Sequence, residues 1–474
     1  MDVVIPHTFL RSTIPGPTPW PILKGRGNYI QFLHDPIAYM LMLYRRYGEI
    51  ASFVKGSKAS IVKGSRGMVF AFGPAYNQRV LGSPAKFYSA GLTVPGPADS
   101  AQRRLGCSMA SMNGERHKKY RRAIMPLLHV KAIGNYRDAI VHLTEKLLDS
   151  WSAGIRRDMA FESKRLALHI SGKILLGLDS PSEANALGAG LERWLLMNSS
   201  FPVSAFRVDR PGTPYWQMLR LADSLEKDLL KTINRKRAQS DQNPDVFSLL
   251  VGLDSDNEVI GQAALLLIAS YMTTCNALAW TLFLLAQHPS VMGDLLDELR
   301  GALHGDAPAV EELGQLKLLE GVIKETMRLL PPVVYLFRIA VEPFQIGPFE
   351  LPSLSTVALS QYITHRMPDL YDQPGRFLPH RWLTSNPSSY EYFPFGAGPH
   401  QCIGYSLAMI ELKVVLAMML QRYRFTVVPN SRIDRHVGIT LSPKHGIPMW
   451  IAPQDGRFTC SGVRGDIRQM VDLR

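Results

Sequence analysis

The sequence predicts a mainly helical fold with a smaller strand-rich part, an α+β class. Three observations lead there. Helical periodicity dominates from Gly114 to Leu330, interrupted near Ser199–Pro214 and Ala238–Asp256. After Pro331 and Pro332 the pattern changes to short alternating runs with turn residues over Val333–Thr364, which read as strands. Within the helical region, Gln262–Gln287 holds no charged residue. Ala263–Ala286 is long enough to span a bilayer, but Ser270, Thr273, Thr274 and Asn276 interrupt its middle, and a lone span would split the chain in two. A helix buried at the centre of a large domain fits better.

The remaining elements follow in order. Ile14–Gly25 (IPGPTPWPILKG) is too rich in proline and glycine to be helical throughout. Pro36–Tyr47 reads as a helix and Glu49–Val62 as a hairpin. Ala85–Asn113 reads as a long loop with a functional role. A helix is expected from just after Cys402 to about Tyr423, and a strand pair over Ile439–Ala452 with SPKHG as its turn. The last twenty residues are polar and are expected to lack order. One domain over 14–453 and a polar tail over 454–474 result.

Composition narrows the function. The chain has 474 residues, 46% hydrophobic and 20% charged, enough to enclose a large flat cofactor. A net charge of +13 points to an acidic partner or an anionic surface. No zinc-finger spacing or basic stripe with interleaved aromatics is present, which argues against nucleic acid. Met1–Pro15 reads as neither a signal peptide nor a membrane anchor. Four cysteines (Cys107, Cys275, Cys402 and Cys460) are too few and too scattered for a disulfide scaffold or a metal cluster. A reduced cytoplasmic protein without an integral membrane segment is expected.

One cysteine stands apart. Phe393–Gly404 reads FPFGAGPHQCIG, with glycines and prolines just before a helix. Glycine lets a flat ligand approach the backbone. At a helix N-terminus the dipole and free N–H groups favour a thiolate, and a single thiolate on a rigid loop suits a haem iron. Taken alone, a buried structural cysteine in a glycine-rich turn satisfies the same residues. The pattern Phe395, Gly396, Gly398, His400, Cys402, Gly404 resembles the signature of the cytochrome P-450 superfamily. The resemblance runs from about Ile14 to Pro453 and implies that fold, haem b (iron protoporphyrin IX), and Cys402 as the metal ligand.

The resemblance also implies roles for other residues. Glu325 and Arg328, which share one helix face in KETMRLLPP, match an ExxR helix, and Arg381 in FLPHRW completes its ion network. That network is structural. His117 and Arg121 in GERHKKYRR, with Arg338 and His400, match the cations that hold haem propionates. By residues alone each is also a solvated charge. Arg116, Lys118, Lys119 and Arg122 on the same helix would face outward and dock an acidic ferredoxin or flavodoxin-type donor.

The central helix departs from the family pattern A-G-x-(D/E)-T-T. Here it reads Ala269-Ser270-Tyr271-Met272-Thr273-Thr274. Thr273 is the expected catalytic hydroxyl, with Ser270 as a partial substitute for the missing acid. Met272 transfers no proton. Thr273 as a packing hydroxyl bonded to the carbonyl four residues back is the plain alternative.

The substrate chamber is expected to draw on Ala85–Asn113, Leu195–Phe206, the central helix and Thr440–Ile447, so its ligand is lipophilic: terpenoid, sterol or fatty-acid-like. Arg207–Leu221 resembles a segment of terpenoid-oxidising members. The leading expectation is a monooxygenase using O2, with electrons that originate from NAD(P)H and arrive through a separate redox partner. A peroxide-driven or hydroperoxide-rearranging haem enzyme, and a non-catalytic haem or ligand-binding protein, are the rivals.

Overall fold

In the computed structural model, which describes residues 13–22, 25–56, 60, 65–91, 93–128, 130–238, 246–253 and 256–473, sequence punctuation becomes helix caps. Pro36–Tyr47 is helical over the predicted span. Asp35 accepts from the Ala38 N–H at 3.0 Å, and Pro36 occupies the first turn, where no N–H is needed. Met159–Leu176 starts on Asp158 and stops on Gly177 in the left-handed conformation.

The uncharged stretch forms one helix, Asp256–Gln287, packed along Met159–Leu176. Among the described residues it alone has the length and apolarity to cross a membrane, and 78% of its apolar window is buried in protein. Close packing depends on small residues. A Cβ at Gly261 would lie 2.1 Å from the Cys107 carbonyl oxygen, so a loop backbone presses directly on the helix. Further along, Trp280 is fully buried and donates to the Leu441 carbonyl at 3.2 Å.

The strand-rich part is a five-stranded sheet in the order Ile50–Ser52, Met68–Ala71, Thr356–Leu359, Leu336–Ala340, Phe87–Tyr88. Its register places Arg338 opposite Val357. The expected hairpin therefore has its return strand at Met68–Ala71, beyond Val62. Residues 57–59 and 61–64 of that region lie outside the described residues. Strand Ile155–Asp158 interrupts the helical region and was not legible as a strand, because it carries three charged residues in four.

Several expectations change. Ala85–Asn113 is not uniformly irregular: it contains the short helix Ala101–Leu105, capped by Ser100. Both interruptions of the helical region hold short helices, Phe201–Ala205 and Val246–Leu253; residues 239–245 and 254–255 lie outside the described residues. The two runs flanking SPKHG do not pair with each other. Leu441–Pro443 pairs back with Arg435–Val437, whereas Pro448–Pro453 lies between Ile155–Asp158 and Tyr423–Val427. Strand partners of long sequence separation outcompete the local turn because they bury Met449 and Ile451 completely.

The C-terminal residues are ordered as well. Val463, Ile467, Met470 and Val471 are buried, the Asp472 N–H donates to the Gly375 carbonyl at 2.9 Å, and Arg366 Nη2 donates to the Met470 carbonyl at 3.1 Å. Four apolar side chains spaced through a polar sequence were enough to dock it. Each contributes ~1.5–3 kcal/mol when fully buried. Truncation after Pro453 is therefore expected to lower the thermal midpoint by more than about 5 °C, measured by circular dichroism; an unchanged midpoint would show that the segment adds nothing.

Candidate haem-binding cavity

The cysteine loop is built by its own backbone. The Gly396 N–H donates to the Phe393 carbonyl at 2.9 Å, Gln401 to Gly398 at 2.9 Å, and Cys402 to Phe395 at 2.8 Å. Gly398 has φ +70, and a Cβ there would lie 2.2 Å from the Leu81 carbonyl oxygen, so only glycine lets this loop touch the helix behind it. Phe395 packs edge-on against Tyr405 at 4.8 Å.

The following helix, Tyr405–Arg422, starts three positions after Cys402 with Gly404 as its cap. That offset corrects the expected dipole effect. Burial pushes the Cys402 thiol above its ordinary range; the Gly404 N–H and the Arg121 charge pull it down without prevailing. A thiolate at this position needs a cation beside it, and a bound metal is one.

Glu325 and Arg328, both fully buried, anchor the loop from behind. Arg328 donates to Glu325 at 2.9 Å from both Nε and Nη2. Its other N–H groups reach the carbonyls of His365 and Pro374 at 2.8 Å and Arg376 at 3.1 Å. All five donors of the guanidinium are thereby used. Arg381 reaches Glu325 at 3.2 Å, so the three expected members of the network meet.

Two further members were missed. Trp382 Nε1 donates to Glu325 at 2.9 Å. His365 joins the network to the cysteine loop: its carbonyl takes Arg328, and its Nε2 accepts the Phe393 N–H at 3.0 Å. Burial, then the charges of Arg328 and Arg366, hold His365 well below the usual range, so it is neutral and can accept. Its place in the tertiary structure, 37 residues from Arg328 and 28 from Phe393, left no local signal.

The cavity above the loop measures about 390 Å³. Cys402, Leu407 and Ala408 line one wall; Ala269, Ser270, Thr273 and Ala277 of the central helix line the other. At its rim His117, Arg121, Arg338 and His400 converge. The His117 and His400 rings stack at 4.0 Å. Arg121 donates to the Gln401 carbonyl at 2.7 Å and Arg338 to the Phe337 carbonyl at 2.8 Å.

None of the four has a carboxylate partner among the described residues. Burial draws Arg338 down to about 10, and burial with its cationic neighbours draws His400 down to about 4. A slot with largely apolar walls, an accessible sulfur, and two unpaired guanidinium cations beside two neutral histidines at one edge fits a flat macrocycle carrying acid groups on one side. The residues present therefore fit haem.

On the opposite side Thr273 and Ser270 reach the cavity, but both hydroxyls donate to their own helix, Thr273 to Ala269 at 2.9 Å and Ser270 to Leu267 at 3.0 Å. Each oxygen is left to accept. Asn276 is committed too, to the Met272 carbonyl at 2.7 Å and Thr440 at 3.1 Å. The carboxyl among the cavity-lining residues is Glu411, which no motif reading singled out; burial pushes it up to about 8.

A second chamber of about 700 Å³ adjoins the first and shares Ala269, Thr273, Val333, Leu336 and Arg338 with it. Met272, Trp194, Leu195, Leu105 and Ile439 give it an apolar lining. It draws on the 85–113 region and the central helix as expected. Among the described side chains, Phe201, Pro202, Val203, Phe206 and residues 441–447 stay out of it, and Val437–Thr440 line it.

Of the outward cations, Arg116 is exposed at the surface but already paired, with Glu258 on the central helix, and lies 3.2 Å from Cys107 Sγ. Lys118 pairs with Glu115 at 2.6 Å. Lys119 and Arg122 remain on the surface.

Comparisons with known proteins agree on one family. The family model described as Cytochrome P450 matches residues 14–447. Cyclooctat-9-en-7-ol 5-monooxygenase of Streptomyces melanosporofaciens is 27% identical over 447 residues, covering 90% of this chain and 95% of that protein. The Protein LUTEIN DEFICIENT 5, chloroplastic, of Arabidopsis thaliana is 24% identical, covering 86% and 73%. The solved structure titled retinoic acid bound cyanobacterial CYP120A1 superposes with a TM-score of 0.78 at 22% identity, over 94% of this chain and 100% of that one, a likeness of fold.

Replacing Glu325 by Ala would strand the Arg328 charge in the core. A loss of ~3–5 kcal/mol is expected, read by chemical denaturation together with haem retention. Glu411 gives a pH signature. Its carboxyl is raised to about 8 in the fold, from an ordinary value near 4.5, so the protonated form is the folded one. Its stabilising contribution is complete below about pH 4.5 and is lost as pH rises to about 8. Glu411→Gln should match the parent near pH 5 and be more stable near pH 8, by urea denaturation at each pH; a constant difference would contradict the assignment.

Proposed function

The chain belongs to the cytochrome P450 family and is a haem-dependent monooxygenase; from that premise we propose that it inserts one oxygen atom into a lipophilic, terpenoid-like substrate, with Cys402 as iron ligand. The observation that carries the reading is the cavity itself, with one open sulfur in a largely apolar wall and, at one edge, two arginines and two histidines without acid partners among the described residues. Haem, when bound, supplies the activation of O2. Every other contribution comes from the chain.

His117, Arg121, Arg338 and His400 would hold the acid groups, Arg121 and Arg338 by charge and the neutral histidines by hydrogen bonds. Phe395 and Gly404 shape the loop around the sulfur. Thr273 and Ser270, whose protons are given to the helix, can each accept a hydrogen bond from a water and hold it near the reacting position. The apolar chamber excludes bulk water and takes the substrate. A terpenoid-like substrate is supported by that lining and by relatives whose names cite cyclooctat-9-en-7-ol and retinoic acid. Electrons would come from NAD(P)H through a ferredoxin or flavodoxin-type donor docking at Lys119 and Arg122. With four unpaired thiols, the cytoplasm is the proposed location.

Met272 favours a second reading. With no acid at that position on the central helix, peroxide could replace O2 and external electrons. Assays with peroxide alone and with a reductase system separate the two; turnover confined to the reductase system excludes the peroxide reading.

Cys402→Ala is expected to abolish the red-shifted Soret band of the reduced CO adduct, and retention of that band would remove Cys402 from the iron. Terpenoids, sterols and fatty acids are to be screened for shifts of the resting spectrum, with products identified by mass spectrometry. Charge reversal at Lys119 and Arg122 together should weaken donor binding by about tenfold at low salt, with the gap closing as salt rises.

A further inference from the structure

The few polar groups of the chamber beside the haem cavity decide which lipophilic molecules it can hold. Four hydroxyls of its lining are already spent on backbone carbonyls. Ser89 donates to Ala110 at 3.1 Å, Ser111 to Ser108 at 2.9 Å, Ser199 to Leu195 at 3.2 Å and Thr273 to Ala269 at 2.9 Å. Tyr335 lines the same chamber and is not spent. Resting on the reading of this chamber as the substrate site, we propose that the Tyr335 hydroxyl selects the substrate by bonding an uncharged oxygen, alcohol or carbonyl, of a terpenoid, and that the chamber rejects the corresponding carboxylic acid.

Tyr335 follows the two prolines 331 and 332 and precedes the strand Leu336–Ala340. Its ring packs against Phe32 at 5.5 Å and Phe337 at 5.0 Å. The chain leading into it is fixed as well, because the Val334 carbonyl accepts both the Tyr362 N–H at 3.2 Å and the Ser360 hydroxyl at 3.0 Å. Among the described residues the Tyr335 hydroxyl has no hydrogen-bond partner, and it is not sealed in the core, so it keeps surface that a ligand can reach. A tyrosine in an apolar wall ordinarily finds a partner for its O–H, and here the chamber is left to supply one. Burial, and to a smaller extent Tyr29, pushes the phenol up to about 12, so it stays protonated and can donate.

Charge sets the kind of oxygen. Among the described residues that line the chamber, Arg338 is the only charged side chain. It also stands at the rim of the haem cavity, where the acid groups of haem would occupy it. A carboxylate enclosed in the chamber would lose its water and find no free cation in exchange. An alcohol or carbonyl oxygen asks for one hydrogen bond, which a phenol supplies. At about 700 Å³ the chamber is large enough to enclose most of a small ligand, so the oxygen need not stay outside in water.

The test is titration of the haem-loaded full chain with geranylgeraniol, geranylgeranic acid and the hydrocarbon of the same carbon skeleton, read by the shift of the resting haem spectrum. At about pH 8, where the acid is ionised, the alcohol is expected to bind at least about tenfold more tightly than the acid. Tyr335→Phe removes one oxygen that no described protein group uses and should keep the CO spectrum of the parent. It is expected to weaken the alcohol about fivefold and to leave the hydrocarbon unchanged. Acid binding as tight as alcohol binding in the parent overturns the proposal while the terpenoid-like reading stands. So does a variant whose alcohol affinity is unchanged, or falls no more than its hydrocarbon affinity. If none of the three shifts the spectrum of the parent, the terpenoid-like reading falls and the proposal with it.

Discussion

A charge placed where water cannot reach it sets the architecture of the thiolate side. Arg328 is fully buried, and a lone guanidinium there would be prohibitively unfavourable. It is tolerated because Glu325 neutralises it and three carbonyls take its remaining donors. Those carbonyls belong to residues 365–376, so satisfying one side chain fixes the path of that segment. Glu325 in turn collects Leu378 N–H, Arg381 and Trp382. The demand for complete hydrogen bonding thus propagates outward from one ion pair to the chain that carries the cysteine loop, and His365 passes it to Phe393 itself.

The rim of the cavity inverts this logic. There the cations are left without acids, and burial lowers the proton affinity of Arg338 and both histidines. Such an arrangement is unfavourable until a ligand brings negative charge. The Cys402 thiol, raised above its ordinary range, likewise lacks a neighbour that favours its charged form strongly enough. Both imbalances are relieved by one ligand that carries a metal at its centre and acids at its edge. Binding and folding are therefore coupled through electrostatics as well as through apolar contact.

On the distal side the departures are chemical and leave the backbone regular. The central helix keeps its hydroxyls in the cavity, yet their protons go to helix carbonyls, and Met272 joins the apolar lining of the chamber. Losing the acid enlarges the apolar surface offered to a substrate. Proton supply on that side must then come through waters that Thr273 or Ser270 accept from, since Glu411, the buried carboxyl of the cavity lining, lies on the helix that follows Cys402.

By itself the sequence determined what depends on local pattern: the helical majority, the buried central helix, the loop around Cys402, and the pairing of Glu325 with Arg328 across one helical turn. These features are written in spacings of a few residues, which a linear reading can detect. Tertiary structure alone decided the rest. Pro448–Pro453 left its neighbouring strand for partners at Ile155–Asp158 and Tyr423–Val427, and the polar C-terminal segment docked on four buried side chains. Arg116 found its partner in Glu258, 142 residues away, while Trp382, His365 and Glu411 entered the site without a motif to announce them. In each case the outcome depends on which distant group supplies a missing charge, hydrogen bond or apolar contact, and that is a property of three-dimensional proximity that residue order does not encode locally.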